Sequence, residues 1–500
     1  MRRTLPLLAG VLAGGAAHAA GFTDYGQDLT PREHAAVEVT GALRTRVEGL
    51  YNFDLDRGTN AQGIPLFPVP IGDPGAQLLT AADGRLRTDI SFFAPGGMAA
   101  VKVRADLLDN WELGASPTLT PGTGSAATPA GSLSQQPGQG LRIKRAYGEF
   151  LTPVGLLAAG RMGAHWGAGM LTNSGDCLDC DSGDAADRIA FISPIAGHLW
   201  ALAYDFTYAG PTLARPNNSR MVELDPSAAV RTLTFAVLRY RDDWGRERRR
   251  AAGKSTLEYG AYVSLRGQSQ DVPGAYLPLS LPVTVDSSQV VYRGFQATAL
   301  DAWGRLTLPW GHIQAEAALL LAQVAQASLV PGVLLANPIH ATQSGAVVQS
   351  DFGEPSARFG AGVDLGYASG DSAQYGVDNF RFASDFRVDQ ILFRELLGTV
   401  TNAMYFRPHA RVRLYRSATA QLELSVALIA SRAVSASGTP SGQAPLGVEI
   451  DPTLSLDTKL GFSALLEHAL FLPGAGFDNP AQGLSAQPAQ MLRLRLAYVF

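Results

Sequence analysis

The sequence has little of what the surface of a soluble multidomain protein needs. Of its 500 residues only 17% are charged, four are lysine and two are cysteine. Soluble chains of this length carry more charge on their surfaces, and two cysteines cannot form a network of disulfides. The net charge of −4 is too small to indicate nucleic-acid binding or an acidic tail. The chain also lacks a Gly-x-Ser-x-Gly nucleophile motif, and we expect no enzymatic activity.

The beginning of the chain has the three parts of a secretory signal peptide. Two arginines are followed by a short apolar stretch, and Ala17-His18-Ala19 fits a signal-peptidase site. We therefore predict that residues 1–19 are a signal peptide and that residues 20–36 form a periplasmic N-terminal segment. The remainder, residues 37–500, contains no linker and is predicted to be one domain.

The last ten residues alternate between apolar and other side chains. Apolar or aromatic residues occupy the even positions from Leu492 to Phe500, and Arg493 and Arg495 lie between them. A period of two predicts a strand with one apolar face, which would also fit a half-buried strand of a soluble sheet. Outer-membrane barrel proteins are similar in ending on Phe after alternating apolar residues. We therefore predict that Tyr498 and Phe500 belong to a signal that the barrel-assembly machinery recognises.

The same alternation recurs along the whole chain. Strands with one apolar face are what a lipid-bathed barrel requires, and closure leaves no unpaired edge in lipid. The predicted fold is all-β: a transmembrane antiparallel up-and-down β-barrel of about eighteen strands (range sixteen to eighteen), with short periplasmic turns and long extracellular loops. The predicted strands are 37–53, 84–95, 98–111, 141–152, 155–162, 187–194, 197–208, 229–241, 256–267, 291–308, 311–325, 343–351, 356–368, 401–416, 419–432, 450–459, 461–471 and 489–500.

One stretch also fits a membrane-spanning helix. Residues 317–336 contain no charge and are long enough to cross a bilayer as a helix. The pair Pro331-Gly332 would break such a helix, because proline removes a hydrogen bond and clashes with the preceding turn. The residues before it alternate with a period of two. We therefore predict a strand followed by a loop.

Pairs of basic residues spaced by two recur on the predicted strands. The spacing places both members on one face, and the opposite face is apolar, so each pair should point into the lumen. Basic side chains around a narrow pore favour anions. The same residues could instead pair with Glu48, Asp89, Asp106 or Glu149 and brace the wall. The predicted pore-lining residues are Arg44, Arg46, Arg85, Arg87, Lys102, Arg104, Arg142, Lys144, Arg411 and Arg413.

Both cysteines and five aspartates lie in or beside one predicted loop. Three interpretations are open. A Cys177–Cys180 disulfide is permitted in an oxidising compartment. A calcium site would use the carboxylates, although their spacing differs from the known calcium-loop pattern. The loop could also form an acidic constriction opposite the arginines. A single Cys-x-x-Cys predicts no zinc site, and we expect no metal and no other cofactor. The aspartates are Asp176, Asp179, Asp181, Asp184 and Asp187.

Several segments resemble a family of myxobacterial outer-membrane β-barrel proteins. They are Ile143–Phe150, Gly160–Met162, His165–Met170, Gly175–Asp181 and Phe380–Gly398. This resemblance implies location and fold but no substrate. A weaker similarity, to alginate-export-type porins, is found in Leu446–Asp451 and Phe471–Gly476. It implies eighteen strands and an arginine-lined lumen.

These features together predict an outer-membrane pore for polar, anionic solutes, either small or polymeric. One alternative is a structural or adhesive barrel whose lumen is plugged by loops. Another is an outer-membrane hydrolase, which would need a serine or aspartate beside His165. The expected partners are outer-membrane lipid, the barrel-assembly machinery and the solute, with no nucleic acid.

Overall fold

A computed structural model of the chain describes residues 21–59, 67, 77–113, 141–207, 213–214, 222–223, 230–271, 290–328, 334–354, 357–371 and 377–500. The predicted signal peptide lies outside these residues.

Eighteen strands form the main sheet of the described residues, and this number confirms the prediction. The alternating side chains on each strand suit a pleated ribbon with one inward and one outward face. The strands are β1 (Ala36–Tyr51), β2 (Leu78–Phe93), β3 (Ala99–Glu112), β4 (Arg142–Thr152), β5 (Gly155–Gly163), β6 (Ala185–Ile195), β7 (His198–Thr207), β8 (Val230–Arg239), β9 (Thr256–Asp271), β10 (Val291–Leu308), β11 (Gly311–Val324), β12 (Ile339–Phe352), β13 (Phe359–Ala368), β14 (Ala403–Arg416), β15 (Ala420–Ala433), β16 (Pro445–Thr458), β17 (Phe462–Pro473) and β18 (Ala489–Val499).

The sheet closes on itself. Each strand pairs antiparallel with the next one along the chain, and β18 returns to pair with β1. At the end of this seam, the N–H of Gly41 donates to Phe500 O and the N–H of Phe500 donates to Gly41 O, both at 3.0 Å. Closure leaves the main sheet without an unpaired edge strand. The up-and-down barrel topology is therefore confirmed.

The connections alternate between short and long. Those at one end, such as 153–154 and 309–310, are only a few residues long. The exception is the β8–β9 connection, which contains the helix α1 (Asp243–Ala251). Membrane barrels place short turns in the periplasm and long loops outside the cell, and this rule orients the barrel in the membrane. The shorter helical segments are Pro95–Gly97, Leu392–Leu396, Ala436–Gly438 and Ala475–Phe477, and a separate two-residue pair joins Leu213–Ala214 to Val222–Glu223.

The outward face of the barrel is apolar. On β1, Val39, Leu43 and Val47 are each about half exposed, whereas Arg44 and Arg46 between them are buried inside. Apolar surface in contact with water costs about 25 cal/mol per Å², and a surrounding lipid phase removes this cost. The fold is therefore a transmembrane barrel. None of the described helices is long and apolar enough to cross a membrane.

Three of the described segments fill part of the lumen. The N-terminal segment, expected in the periplasm, enters the barrel, where Phe22 and Tyr25 are buried and Tyr25 Oη donates to Gly163 O at 3.0 Å. The other two are the β5–β6 connection, residues 164–184, here the crossing loop, and the described part of the β13–β14 connection, residues 369–371 and 377–402, here the inner loop. Aromatic side chains of the inner loop form an apolar core against the wall. These segments determine which parts of the lumen solvent can enter.

Candidate functional site

The crossing loop spans the lumen from one wall to the other. Its acidic tip contacts β1 and β2, where Asp181 accepts from Arg44 at 2.9 Å. Its first turn contacts the far wall, where Trp166 Nε1 donates to Asp301 Oδ1 of β10 at 2.7 Å. The carboxylate of Glu316 on β11 accepts from main-chain N–H groups of the same turn. The loop therefore lies where it narrows any passage through the barrel.

Asp181 is the centre of a buried ion cluster on β1 and β2. Its carboxylate lies 2.9 Å from Arg44 Nη1, 3.1 Å from Arg46 Nη1 and 3.1 Å from Arg85 Nη1. All three arginines point into the lumen but are at most 3% exposed, because the loop covers them. Asp83 on β2 also accepts from Arg44 and Arg46. These three predicted pore-lining residues are therefore shielded from a solute.

Asp179 connects the loop to both edges of the barrel seam. Its carboxylate lies 3.2 Å from Arg46 on β1 and 3.0 Å from Arg495 on β18. A third contact, 2.6 Å long, is to Arg394 of the inner loop. The tip of the crossing loop is thus fixed by guanidinium groups from three separate parts of the chain.

The two buried aspartates remain charged at neutral pH. Burial alone would raise the pKa of Asp181, but Arg46, Arg44 and Arg85 hold it well below its usual range. The pKa of Asp179 is also held well below its usual range, since Arg394 and Arg495 outweigh the effect of its burial. A lowered carboxyl pKa stabilises the docked loop above the unfolded pKa of about 3.9, and this stability is lost only as the pH falls through the lower folded value.

The other predicted acidic residues lie further along the loop. Asp176 pairs with Arg104 and with Arg145, the latter at 2.8 Å. Asp184 accepts from the N–H of Asn173 at 2.9 Å. Asp187 lies on β6 and forms a two-bond pair with Arg161, both at 2.8 Å. Among the described residues, no group of His, Cys, Asp and Glu could hold a metal ion, and guanidinium groups face the carboxylates of Asp176, Asp179 and Asp181.

A basic cavity of about 420 Å³ lies between the crossing loop and the wall on the extracellular side. Its lining includes seven basic side chains but only three acidic ones, Asp184, Asp187 and Asp205. We call this cavity the basic vestibule. Its charge arises because strands β2–β5 and β9 direct basic residues inward at similar heights. The basic lining residues are Arg87, Arg104, Arg142, Lys144, Arg145, Arg161 and Arg266.

A β-bulge brings adjacent basic residues into the vestibule. The register between β3 and β4 shifts so that Arg104 faces Arg145 while Ala105 faces Ile143. Strict alternation would turn Lys144 and Arg145 to opposite faces, but the extra residue of a bulge changes their direction. Both therefore line the cavity. The sequence shows no signal for the shift, and Arg145 was not among the predicted site residues.

The barrel resembles solved outer-membrane channels. OccK10 (OpdN) of Pseudomonas aeruginosa is 12% identical with a TM-score of 0.45, over 92% of this chain and 99% of that chain. OpdK with vanillate, from the same organism, is 11% identical with a TM-score of 0.46, over 93% and 98%. The anion-selective porin from Comamonas acidovorans is 7% identical with a TM-score of 0.41, over 93% and 100%. At these identities and TM-scores, no solute can be assigned to the present chain from these channels.

No protein-family model matches the chain, and the comparison with curated proteins also gives no match. The similarities to the myxobacterial family and to alginate-export-type porins therefore remain expectations from the sequence. Any solute has to be inferred from the side chains inside this barrel.

The remaining predicted basic residues lie elsewhere in the lumen. Lys102 contacts Asp28 of the N-terminal segment at 3.1 Å and Glu149 of β4 at 3.2 Å. Arg411 lies 3.4 Å from Glu423 on the neighbouring strand β15. Arg413 lies on the same face of β14, one pair nearer the periplasmic turn. None of these three lines the vestibule.

His165 has the surroundings of a structural residue. Its Nε2 lies 3.3 Å from Gly167 O, and its buried Nδ1 has no hydrogen-bond partner. Burial lowers the pKa of His165 to about 4, so the ring is neutral at pH 7. Within the described part of the chain, no serine or aspartate hydrogen-bonds to this ring. The arrangement therefore lacks the nucleophile–base contact of a hydrolase.

The structure joins Cys177 and Cys180 by a disulfide at the tip of the crossing loop. We expect thiol labelling of the unreduced, denatured protein to find no free cysteine, because the chain contains only these two. Mass spectrometry with and without a reductant would measure this directly. Two labelled thiols in protein purified without reductant would contradict the pairing.

Proposed function

We propose that the chain forms an outer-membrane channel that passes small anionic solutes. The excess of basic over acidic side chains in the vestibule, seven against three, supports this proposal most directly. The apolar outward face suits a bilayer, and a closed barrel satisfies its own main-chain hydrogen bonds there. A positive vestibule raises the local concentration of anions and lowers their entry barrier.

The residues best placed to meet an anion are those with the fewest internal partners. Arg266 is exposed and has no ion-pair partner among the described residues. Arg142 is half exposed and has one carboxylate contact, to Asp109 at 3.1 Å. In contrast, Arg87 and Arg104 each hold a wall aspartate with two hydrogen bonds. We therefore assign solute contact to Arg142 and Arg266, and bracing to Arg87 and Arg104.

The double substitution of Arg142→Gln and Arg266→Gln should weaken anion selectivity. In planar bilayers at low salt, we expect the chloride-over-potassium permeability ratio, measured from the reversal potential, to fall about twofold. The difference should vanish in 1 M salt, where screening acts over about 3 Å. Arg248→Gln is a control for charge loss outside the vestibule, because Arg248 is exposed on helix α1. A wild-type channel that prefers cations would contradict the proposal.

A second candidate is a barrel whose lumen is closed by its own loops. The observation that favours it is the filling of the lumen by the crossing loop and the inner loop, which also contact each other. Asp385 of the inner loop accepts from the N–H of Asp181 at 3.2 Å and from the N–H of Gly183 at 2.5 Å. A purified, heat-modifiable barrel that carries no current in bilayers would favour this candidate.

A further inference from the structure

One wall glutamate holds the first turn of the crossing loop. Glu316 Oε2 accepts from the N–H of Ala168 at 2.5 Å and of Met170 at 3.4 Å. Its other oxygen accepts from the N–H of Leu171 at 3.1 Å. Glu316 is 1% exposed, so water cannot replace these donors without the turn moving. A single side chain of β11 therefore satisfies three main-chain groups of the loop.

A second wall glutamate holds the inner loop in the same way. Glu449 on β16 accepts from the N–H of Gln390 at 2.9 Å, of Ile391 at 2.7 Å and of Leu392 at 2.8 Å. Both Glu449 and Ile391 are fully buried. The two loops are far apart in sequence, yet each is fixed by one carboxylate that receives three closely spaced N–H groups.

The close approach at Glu316 depends on a glycine. Gly167 has a φ of +58°, and a Cβ at this position would lie 2.6 Å from Glu316 Oε2. Any larger residue would therefore strain the backbone and push the turn away from the carboxylate. The close contact between this turn and the carboxyl group therefore requires glycine at position 167.

We propose that Glu316 and Glu449 are latches that keep the crossing loop and the inner loop inside the lumen, and that release of a latch widens the channel. This inference rests on the proposed channel function. Each carboxylate is a positioning residue, since it acts on a solute only through the loop that it holds. Glu316 controls the passage more directly, because its loop spans the lumen between the vestibule and the far wall.

The substitutions Glu316→Gln and Glu449→Gln test the two latches separately. Replacing one carboxyl oxygen by an amide NH2 group removes a hydrogen-bond acceptor and should make main-chain hydrogen exchange about tenfold faster in the released turn. We expect the larger increase in exchange within residues 166–172 for Glu316→Gln and within residues 389–394 for Glu449→Gln. The single-channel conductance of Glu316→Gln should also exceed that of the wild type.

Glu423→Gln is the matched control, because it removes an inward wall carboxylate that contacts Arg411 and neither loop. Gly167→Ala is a second test that leaves Glu316 itself unchanged; it should speed exchange in residues 166–172 and raise conductance. Heat-modifiable migration on gels verifies that every variant is folded. Equal exchange in Glu316→Gln and Glu423→Gln would overturn the latch, and faster exchange at unchanged conductance would overturn its effect on the channel.

Bilayer recordings of the wild type and of Glu316→Gln distinguish a failure of the latch from a failure of the proposed channel function. A silent wild type combined with a conducting Glu316→Gln would support the latch and reject a constitutively open channel. A conducting wild type with cation preference would reject the anionic solute alone, since the exchange rates do not depend on the permeating ion.

Discussion

Deletion of Phe500 is expected to reduce the folded barrel in the outer membrane at least about tenfold. The deletion removes both hydrogen bonds between Phe500 and Gly41 at the seam, and two such bonds contribute about 2 kcal/mol. It also removes the aromatic end that stacks on Tyr498, with ring centroids 6.4 Å apart. We expect the assembly machinery to recognise this end, and unassembled protein should be degraded in the periplasm. Heat-modifiable migration of outer-membrane fractions measures the loss.

Two substitutions distinguish the contribution of the aromatic ring to assembly from that of the terminal main-chain hydrogen bonds. Phe500→Tyr keeps both the ring and the seam hydrogen bonds and should assemble normally. Phe500→Asp keeps the seam bonds but places a charge on the outward face, where Phe500 is 47% exposed; it should fail like the deletion. Normal amounts of heat-modifiable barrel after deletion would show that the last residue is dispensable.

Asp181→Asn should undock the tip of the crossing loop. The substitution leaves Arg44, Arg46 and Arg85 buried without their shared carboxylate, and breaking a buried ion pair costs about 3–5 kcal/mol. The undocked population should therefore rise about 100-fold or more. The native disulfide reports this change, because Cys180 is buried in the docked tip and undocking would expose it. Its rate of reduction by a water-soluble phosphine should increase by up to the same factor.

Asp187→Asn provides the matched control. It removes the same charge next to the same loop, but Asp187 and its partner Arg161 have side chains that are 37% and 54% exposed. Exposed pairs of this kind contribute about 0–1 kcal/mol, so the reduction rate should change little. Similar rates for the two variants would show that the buried cluster does not hold the tip.

The strands could be predicted from the sequence because the lipid imposes a simple pattern. In β18, apolar residues at alternate positions reveal the outward face directly. The pattern fails where a strand extends beyond the membrane. The predicted strand 343–351 begins at Ile339 in the structure, since the outward residues His340 and Thr342 are polar and interrupt the alternation. Strand number and topology could be predicted from the sequence, whereas the extracellular end of this strand could not.

The site was harder to predict from the sequence, because the residues that contact each other in it are distant along the chain. The spacing of Arg44 and Arg46 indicates a shared face, but the Asp181 that covers them is more than 130 residues away. Glu316 had no recognisable signal either, since one glutamate among alanines and leucines resembles any inward wall residue. The sequence therefore predicts which charged side chains point into the lumen. Only the three-dimensional structure shows which of these side chains a solute can reach.

The contacts of Asp179 also constrain the order in which the barrel folds. Its partners Arg46 and Arg495 lie on the first and the last strand, so both ion pairs exist only after these strands have met. In an open sheet, one of the guanidinium groups is absent and the loop tip has an incomplete set of counter-charges. The full set of contacts at the loop tip therefore forms only after closure, and it stabilises the joint between the two ends of the chain from the inside.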